Sequence, residues 1–577
     1  MKGNLSSLLW RLPLPAPLVA AGLLLTFSMP AHSAPAPDSV LQNAAARDAQ
    51  EQQRQQERER ALQQQNAPHS DVRLSRPDVA LPDYPSDEHP CFTISRLQLV
   101  GEAAGRFQWA LDAAEDAEGR CLGQQGIVLA INKVQNRILA AGYVTTRVMA
   151  QEQDLTRGVL TLTLQPGRIA RVRFEEGVSW RGRLWNALPA SAGDILNLRA
   201  IEQGLENFKR VPSVEADIKI APGDQEATSD LLVSWKEGRP VRLSLGLDDS
   251  GSKSTGRYLG SATLAIDAPF AQNDLFYANI GKNLFEHGPF GNRSHTLNYV
   301  FPIGYWSLAA NYNDYTYHQN IPNANEVLSY SGKSENLQLT LSRLLFRNQS
   351  HKLTLNMRAY RRHATNAVDG YNIDNQERRT AGWELGLNQR SYLGSATLDA
   401  NLNWHRGTGA FGAKPAPEEA MHSGSARVGF AMGDVSLNQP LALGQQPWRY
   451  YTSLRGQWSA NALTPQERMA IGGRYTVRGF DGELSLSGER GMVWRNELAW
   501  NVQSRGHELY TALDYGRVGG PSARRLVGKQ LTGAALGVRG ALWRRFSYDL
   551  FAGVPLSKPD AFHTSGATAG FSVNLEI

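Results

Sequence analysis

Long apolar segments are scarce in this sequence. After the run from Leu12 to Met29 there is no stretch of about 18 uninterrupted apolar residues, the length that a membrane-crossing helix needs. The mean hydropathy of -0.39 is that of a water-soluble protein. These observations argue against a bundle of membrane helices. They leave a membrane β-barrel open, because only every second residue of a barrel strand has to be apolar.

Cysteine is also scarce, since the 577 residues include only Cys91 and Cys121. In an exported chain an even count favours one disulfide, which would close a loop of about 30 residues and add roughly 3 kcal/mol to a small domain. The alternative is a pair of free thiols. No histidine stands directly next to either cysteine, so the sequence predicts no metal site.

Neither sign of charge dominates, with 60 Lys and Arg against 54 Asp and Glu. The basic residues are scattered and mostly alternate with apolar ones, which predicts no nucleic-acid partner. Enzyme motifs are missing too. Gly332-Lys333-Ser334 has Val327 where a phosphate-binding loop needs glycine, His507-Glu508 lacks a second histidine at metalloprotease spacing, and there is no Gly-x-Ser-x-Gly elbow. We therefore expect no enzyme and no cofactor.

The N-terminus has the features of an export signal. Lys2 and Arg11 precede the apolar run, and the small-residue stretch 31–34 follows it. This order predicts a signal peptide over residues 1–33. A membrane anchor is the alternative, and three prolines within the run argue against it.

The segment after the signal is polar. Residues 34–65 are rich in Ala, Gln, Glu and Arg, which favours a helix, but they offer little apolar surface to a core. The pattern fits either a solvated helix or a helix in an aqueous cavity. Residues 66–90 contain five prolines and are predicted to form a linker.

Residues 91–238 are predicted to form two tandem α+β units. The first, 91–166, has helical spacing over 124–141 and strands near 143–149 and 159–165. The second, 167–238, has a strand at 169–174, a helix around 198–211, and strands at 214–220 and 230–235. The repeated order predicts two β-α-α-β-β units.

The rest of the chain, residues 239–577, reads as amphipathic strands. Leu337, Leu339 and Leu341, for example, alternate with polar residues. Short turns follow most even-numbered strands and longer loops follow many odd-numbered ones, a pattern typical of a sixteen-stranded antiparallel transmembrane β-barrel rather than of a soluble sandwich. The sixteen candidate strands start near residues 241, 258, 274, 294, 305, 334, 351, 380, 395, 424, 448, 489, 507, 528, 546 and 566.

The longest connection between strands, residues 460–488, contains Val477-Arg478-Gly479-Phe480. An arginine in a glycine-rich loop can simply mark a solvated turn. The strands that follow, however, carry acidic residues on the face expected to point into the barrel, namely Glu497, Glu508 and Asp514. Such acids could hold the arginine folded back into the pore, because a desolvated arginine–carboxylate pair is geometrically specific.

The Val-Arg-Gly-Phe motif, the two α+β units and the sixteen strands together resemble the outer-membrane translocators of two-partner secretion. This is the TpsB family, which includes haemolysin activators, filamentous-haemagglutinin transporters and CdiB-like proteins and is related to the BamA insertase. The resemblance implies that 91–166 and 167–238 are periplasmic POTRA units, that helix 34–65 plugs the pore, and that loop 460–488 folds inward.

The resemblance also suggests roles for individual residues. Asp514-Tyr515-Gly516 matches the Asp-x-Gly of the family's partner strand, so we expect Arg478 and Asp514 to pair as a lumenal lock, with Glu497 and Glu508 as secondary acids. A structural staple is the other interpretation of this pair. Cys91-Phe92 and Cys121-Leu122 also resemble the first POTRA unit of this family. The terminal Ile577 departs from it, since many relatives end in an aromatic residue.

The function that the resemblance implies is transport. The POTRA units would bind an unfolded TpsA-type exoprotein (a haemolysin, an adhesin or a contact-dependent toxin), with 199–211 and 214–220 as the regions of contact. The exoprotein would then cross the outer membrane through the barrel. The other expected partners are outer-membrane lipid and the barrel-assembly machinery, and we expect a monomer. A BamA-like insertase and a passive porin are the alternatives.

Overall fold

The computed structural model describes residues 37–66, 71–74, 81–284, 288–322, 326–502, 506–543 and 545–577. The first helix, α1 (Pro37–Asn66), has its side chains described from Arg47 onward. The expected signal peptide, 1–33, and parts of the expected linker lie outside these residues. Within the described ranges, no helix combines the length and the apolar character needed to cross a membrane.

The first α+β unit is a three-stranded sheet covered by helices. Its central strand, Val159–Gln165, is parallel to Arg96–Gly101 and antiparallel to Arg147–Met149. Helix α2 (Gln124–Ala140) covers the sheet together with the 3₁₀ segments Ala104–Arg106 and Gln108–Ala117, which stand where the first α-helix was expected.

Two features outside the sheet complete this unit. The expected disulfide joins Cys91 and Cys121, where the short strands Phe92–Thr93 and Cys121–Leu122 pair. The N-terminus of α2 has no cap from Gly123, the residue before it. Instead, the Glu88 carboxylate accepts hydrogen bonds from the backbone N–H groups of Gly123, Gln125 and Gly126 at 2.8, 2.7 and 2.9 Å. Desolvation acts to raise the pKa of Glu88, but these three donors hold it below its ordinary value.

The second unit repeats the sheet with one helix fewer than expected. Thr228–Glu237 is parallel to Arg168–Phe174 and antiparallel to Val214–Pro222, and helix α3 (Leu198–Lys209) packs on this sheet. Residues 175–197 contain no helix, contrary to the β-α-α-β-β expectation. Glycines with positive φ interrupt the segment. It packs Ala187, Leu188 and Leu196 into the core of its own unit and is also bonded to the barrel.

Sixteen long antiparallel strands close into a barrel, and the last of them pairs with the first through five residue pairs. This confirms the predicted architecture. A two-residue strand, Tyr371–Asn372, pairs with the end of the seventh strand, His351–Val368. The strands, labelled β1 to β16 in order, are Val241–Asp248, Leu259–Asp267, Leu275–Asn283, Phe290–Ile303, Trp306–Pro322, Val327–Arg347, His351–Val368, Arg378–Leu393, Ala396–Thr408, Gly429–Leu443, Gln446–Trp458, Arg490–Val502, His507–Gly519, Gln530–Leu542, Phe546–Ser557 and Thr568–Glu576.

The outward faces of these strands are apolar, as the alternation predicted. Leu337, Leu339 and Leu402 are among the large apolar side chains left exposed on the barrel wall. The largest difference from the expected starts is at β6, which begins at Val327 instead of 334. Strands β5 and β6 continue pairing over most of the loop expected at 313–333, so they are longer than the roughly 9–11 residues that cross a bilayer.

Most connections on one side of the barrel are short turns, and most of those on the other side are longer. Short elements within the longer ones are the helix α4 (Pro417–Ala420), the 3₁₀ segments Asp374–Gln376, Pro465–Glu467 and Ser522–Arg525, and the paired strands Met469–Ile471 and Leu486–Gly488.

An arginine loop and a polar helix inside the barrel

Helix α1 lies in the barrel lumen, where its polar side chains are buried. Asp48 and Glu51 are both less than one-twentieth exposed. They are satisfied by the inward face of β5, because Tyr317 donates its hydroxyl to Asp48 at 2.7 Å and Tyr315 donates to Glu51 at 2.5 Å. A helix without an apolar face is therefore held by hydrogen bonds to the wall.

The same helix also contacts loop 460–488. The amide of Gln50 donates to the carbonyls of Gly482 and Glu483 at 3.1 and 2.7 Å, and the amide of Gln53 donates to that of Pro465 at 2.7 Å. Both ends of the loop thus contribute acceptors to α1. The helix and the loop leave a polar cavity of about 1010 Å³ beside them.

Loop 460–488 folds into the barrel, as its sequence suggested. Its apolar side chains form a small core against the inner wall, in which Val477 and Phe480 are almost completely buried. The ring of Phe480 meets that of Phe562 edge-on, with centroids 5.9 Å apart. The other members of this core are Met469, Ile471, Leu486, Val493, Val518 and Leu531.

Arg478 is surrounded by acceptors. Its Nε and Nη2 donate to the two carboxylate oxygens of Asp514 at 2.7 and 2.8 Å, and its backbone N–H donates to Asp514 at 3.0 Å. Its Nη1 donates to Glu497 at 2.7 Å. Asp514 is completely buried, so this bidentate pair is shielded from solvent and screened little by salt.

Glycines in the loop and in the strands allow the loop to approach the barrel wall closely. Gly479 has φ +98°, and a Cβ at this residue would stand 2.3 Å from the carbonyl oxygen of Val554 in β15. Across this contact, a Cβ on Gly533 would meet the Arg478 carbonyl at 2.0 Å. Gly516 likewise leaves room for Val477, since its Cβ would lie 2.8 Å from that side chain. The Asp-x-Gly pattern thus supplies both a carboxylate for Arg478 and space for Val477.

The ion pair continues into a larger network that the sequence did not suggest. Arg539 bonds Glu497 and also Glu508, the latter at 2.7 Å, and Arg449 reaches Glu508 at 2.8 Å and Glu497 at 3.4 Å. With Arg478 and with Arg495, which lies 3.7 Å from Asp514, four arginines face the three predicted acids. The contact of Arg539 with Glu508 could have been predicted from the sequence, because the two residues are direct cross-strand partners. For Arg449 the signal was weaker, since it lies on β11, diagonal to Glu497 on the neighbouring strand and two strands from Glu508.

A second polar cluster joins the second α+β unit to the barrel. Glu202 and Glu206 of α3 form salt bridges with Arg347 of β6 at 2.9 and 2.8 Å. The same carboxylates accept hydrogen bonds from the backbone N–H groups of Leu74 and Val72 in the linker. Residues 199–208 are all buried, so in this state α3 offers a partner little more than Lys209. The other exposed part of the expected contact region is strand 214–220, where buried and exposed residues alternate.

Known proteins match this arrangement along most of the chain. Residues 227–540 match the family described as "Haemolysin secretion/activation protein ShlB/FhaC/HecB", residues 168–222 match a POTRA domain, and residues 92–167 match a ShlB-type POTRA domain. The chain belongs to this family.

Individual relatives match this chain over nearly its whole length. Outer membrane transporter CdiB-2 of Burkholderia pseudomallei is 38% identical over 96% of this chain and 98% of its own, and CdiB of Dickeya dadantii is 30% identical over 96% and 99%. The solved structure of CdiB from Acinetobacter baumannii superposes with a TM-score of 0.80 at 32% identity, covering 94% of this chain and 98% of that one.

The protein is thus an outer-membrane transporter that secretes a partner exoprotein in two-partner secretion. Its barrel lies in the outer membrane and its POTRA units, 92–167 and 168–222, lie in the periplasm. This confirms the translocator interpretation over the insertase and porin alternatives. Members of this family are transporters and not enzymes.

Proposed function

We propose that α1 is a reversible plug and that Arg478 and Asp514 are a lock that keeps loop 460–488 folded in the transporter's lumen. The observation that carries the plug is the burial of Asp48 and Glu51 against tyrosines of the inner wall. Because α1 has no apolar face, it can move into water without exposing hydrophobic surface. Each hydrogen bond to the wall contributes only about 0.5–1.5 kcal/mol net, since water replaces it.

The exoprotein would cross the barrel unfolded. Once α1 leaves, it vacates a channel roughly 10–12 Å wide, the diameter of a helix with its side chains. An extended chain fits such a channel, whereas a folded domain does not. No nucleotide is available outside the inner membrane, so folding of the exoprotein at the cell surface would drive the transport, without a catalytic residue in the transporter.

We further propose that the exoprotein is of the type carried by CdiB transporters. The CdiB relatives are 38% and 30% identical over 96% of the chain, whereas the hemolysin transporter ShlB of Serratia marcescens is 26% identical over 67%. The apolar outer wall would contact lipid, the barrel-assembly machinery would insert the chain, and the transporter would act as a monomer.

A reducible crosslink between α1 and the wall tests the plug. The amide of Asn366 donates to Asp48 at 3.1 Å, so the two side chains adjoin, and the pair Asp48→Cys and Asn366→Cys lies within reach of a short reducible bis-thiosulfonate crosslinker. With a co-expressed exoprotein, the crosslinked double variant is expected to retain its cargo in the periplasm, and reductant is expected to restore secretion. The two single-cysteine variants, and the wild type with reductant, control for effects on Cys91–Cys121.

Secretion by the crosslinked variant at the wild-type rate would show that α1 does not have to leave. The level of other outer-membrane barrels is measured in the same cells. If those barrels fail to assemble in cells lacking the transporter, while the exoprotein still reaches the surface, transport is not the function of this chain.

A further inference from the structure

One segment of the second POTRA unit, residues 178–187, is bonded to the periplasmic rim of the barrel. Arg181 donates to the backbone carbonyl of Asp267, at the end of β2, at 2.6 Å. Asn273, in the turn after β2, donates to the side-chain oxygen of Asn186 at 2.8 Å, and the backbone N–H of Gly304 donates to the carbonyl of Asn186 at 2.7 Å. These bonds hold the segment against the periplasmic ends of β2 and β4.

Two tryptophans of this bonded segment nevertheless remain exposed. Trp180 is 74% exposed and Trp185 is 62% exposed, whereas no other large apolar side chain described in the two POTRA units exceeds the 49% of Val128. Tryptophan buries a large apolar area when it packs, so leaving two of them in water beside well-ordered polar contacts is unfavourable. Exposed apolar surface of this kind marks a contact with something outside the chain.

Trp185 continues the apolar outer surface of the barrel, and Trp180 stands next to Arg181, which is bonded to the rim. The ring of Trp185 lies 6.1 Å from that of Phe301. Phe301 is on β4 in the same alternation as Leu297 and Ile303, which are exposed on the outer wall. The indole N–H of Trp185 donates to the Gln272 side chain at 3.0 Å, so the apolar part of the ring faces outward while its polar edge is satisfied at the rim.

A second aromatic pair extends the same surface. Phe270, in the turn after β2, is 70% exposed and meets Tyr299 of β4 edge-on at 5.8 Å. Aromatic residues at the rim of a membrane barrel lie at the level of the lipid headgroups. Trp185, Phe270 and Phe301 lie on this surface, and together with the exposed Trp180 of the same segment they are here called the rim patch. The rim patch joins a periplasmic domain to the outer wall of the barrel.

We propose that the rim patch is a phospholipid-binding surface, and that Trp180 and Trp185 insert into the headgroup region of the periplasmic leaflet. The second POTRA unit is then held by the membrane as well as by its bonds to the barrel. Tryptophan suits this position because it combines a large rigid apolar ring with one polar edge. The inference rests on the position of the barrel in the membrane and not on the plug or the lock.

Site-specific fluorescence in phospholipid nanodiscs tests the rim patch. The chain's two cysteines form a disulfide, so one added cysteine is the single free thiol and can carry an environment-sensitive fluorophore. The variant Trp180→Cys is compared with Leu402→Cys, on the outer wall, and Val128→Cys, on a helix of the first POTRA unit. The nanodiscs contain phospholipids that carry a nitroxide quencher near the headgroup.

The label at residue 180 is expected to be quenched at least half as strongly as the label at 402, and its emission is expected to shift to shorter wavelength when the protein moves from detergent to nanodiscs. The label at 128 should do neither. Quenching at 180 no stronger than at 128, with 402 quenched normally, would overturn the proposal and leave the rim patch facing water or another protein. Because Trp180 is exposed, its replacement should not impair folding, and gel migration of the unheated barrel checks this.

Discussion

Replacing Arg478 by alanine removes the cation that neutralises Asp514, which is completely buried. Breaking a buried ion pair from one side costs about 3–5 kcal/mol, because the remaining charge is left without compensation. Arg495 lies 3.7 Å from Asp514 and still neutralises part of its charge. The expected cost is therefore near the lower end of that range, at about 3 kcal/mol. A cost of about 3 kcal/mol weakens docking of loop 460–488 by roughly 10²-fold.

Hydrogen exchange of the loop measures this change. The backbone N–H of Arg478 and its neighbours exchange only when the loop opens, so residues 476–482 should lose roughly 10²-fold in protection, while the strands of the wall keep theirs. Arg449→Ala is the matched control, because Arg449 contacts Glu497 and Glu508 but not Asp514. Protection of the loop in Arg478→Ala equal to that in the control would refute the assignment of Arg478 as the main anchor.

The double variant Arg478→Met with Asp514→Leu separates a lock from a staple. Replacing both partners of a buried pair by apolar residues of similar volume is often neutral or stabilising, so loop protection should return. Secretion should remain low if the charged pair must break and re-form during transport. Full secretion by this double variant would show that the pair is only a structural staple.

Three further outcomes are expected. Asp48→Ala removes an acceptor that holds α1 in the lumen, and should raise the open-channel conductance in planar bilayers several-fold, whereas Gln64→Ala, at an exposed position, should not. Gly479→Ala meets the strand backbone at 2.3 Å and should undock the loop in hydrogen exchange, unlike Gly473→Ala, whose nearest neighbour is at 3.5 Å. The pKa of Glu88 is lowered in the folded state, so its capping contribution is fully present above the ordinary value of 4.5 and is lost as the pH falls below it. Glu88→Gln should therefore lower the melting temperature of the helical circular-dichroism signal at neutral pH and reduce its loss in acid.

The barrel could be predicted because its signal is local. Alternation of apolar and polar residues along one strand is enough to define that strand, and sixteen starts were expected close to those observed. The prediction was wrong where polar residues continue the alternation beyond the membrane, as between Tyr315 and Tyr330. These tyrosines point inward toward α1 and its neighbours, so the pattern there reflects the lumen and not the lipid.

The contacts between distant segments could be predicted only in part. Arg478 and Asp514 were paired from a family motif, and the structure brings them together. Arg449 was missed because its approach to Glu508 depends on the shear of the closed barrel, which no single strand specifies. Glu88 was missed for a related reason, since it caps a helix that begins more than thirty residues later.

The proposed plug and the proposed lock are linked, because both depend on loop 460–488. Gln50 and Arg54 of α1 donate to the carbonyl of Gly482, four residues after Arg478, and Gln53 donates near the start of the loop. Undocking the loop therefore removes acceptors from α1. Departure of α1 likewise removes donors from the loop. Coupling between two equilibria is reciprocal, so the free energy by which an intact lock stabilises the plug equals the free energy by which the plug stabilises the lock. An exoprotein that displaces α1 would thus weaken docking of the loop without contacting Arg478.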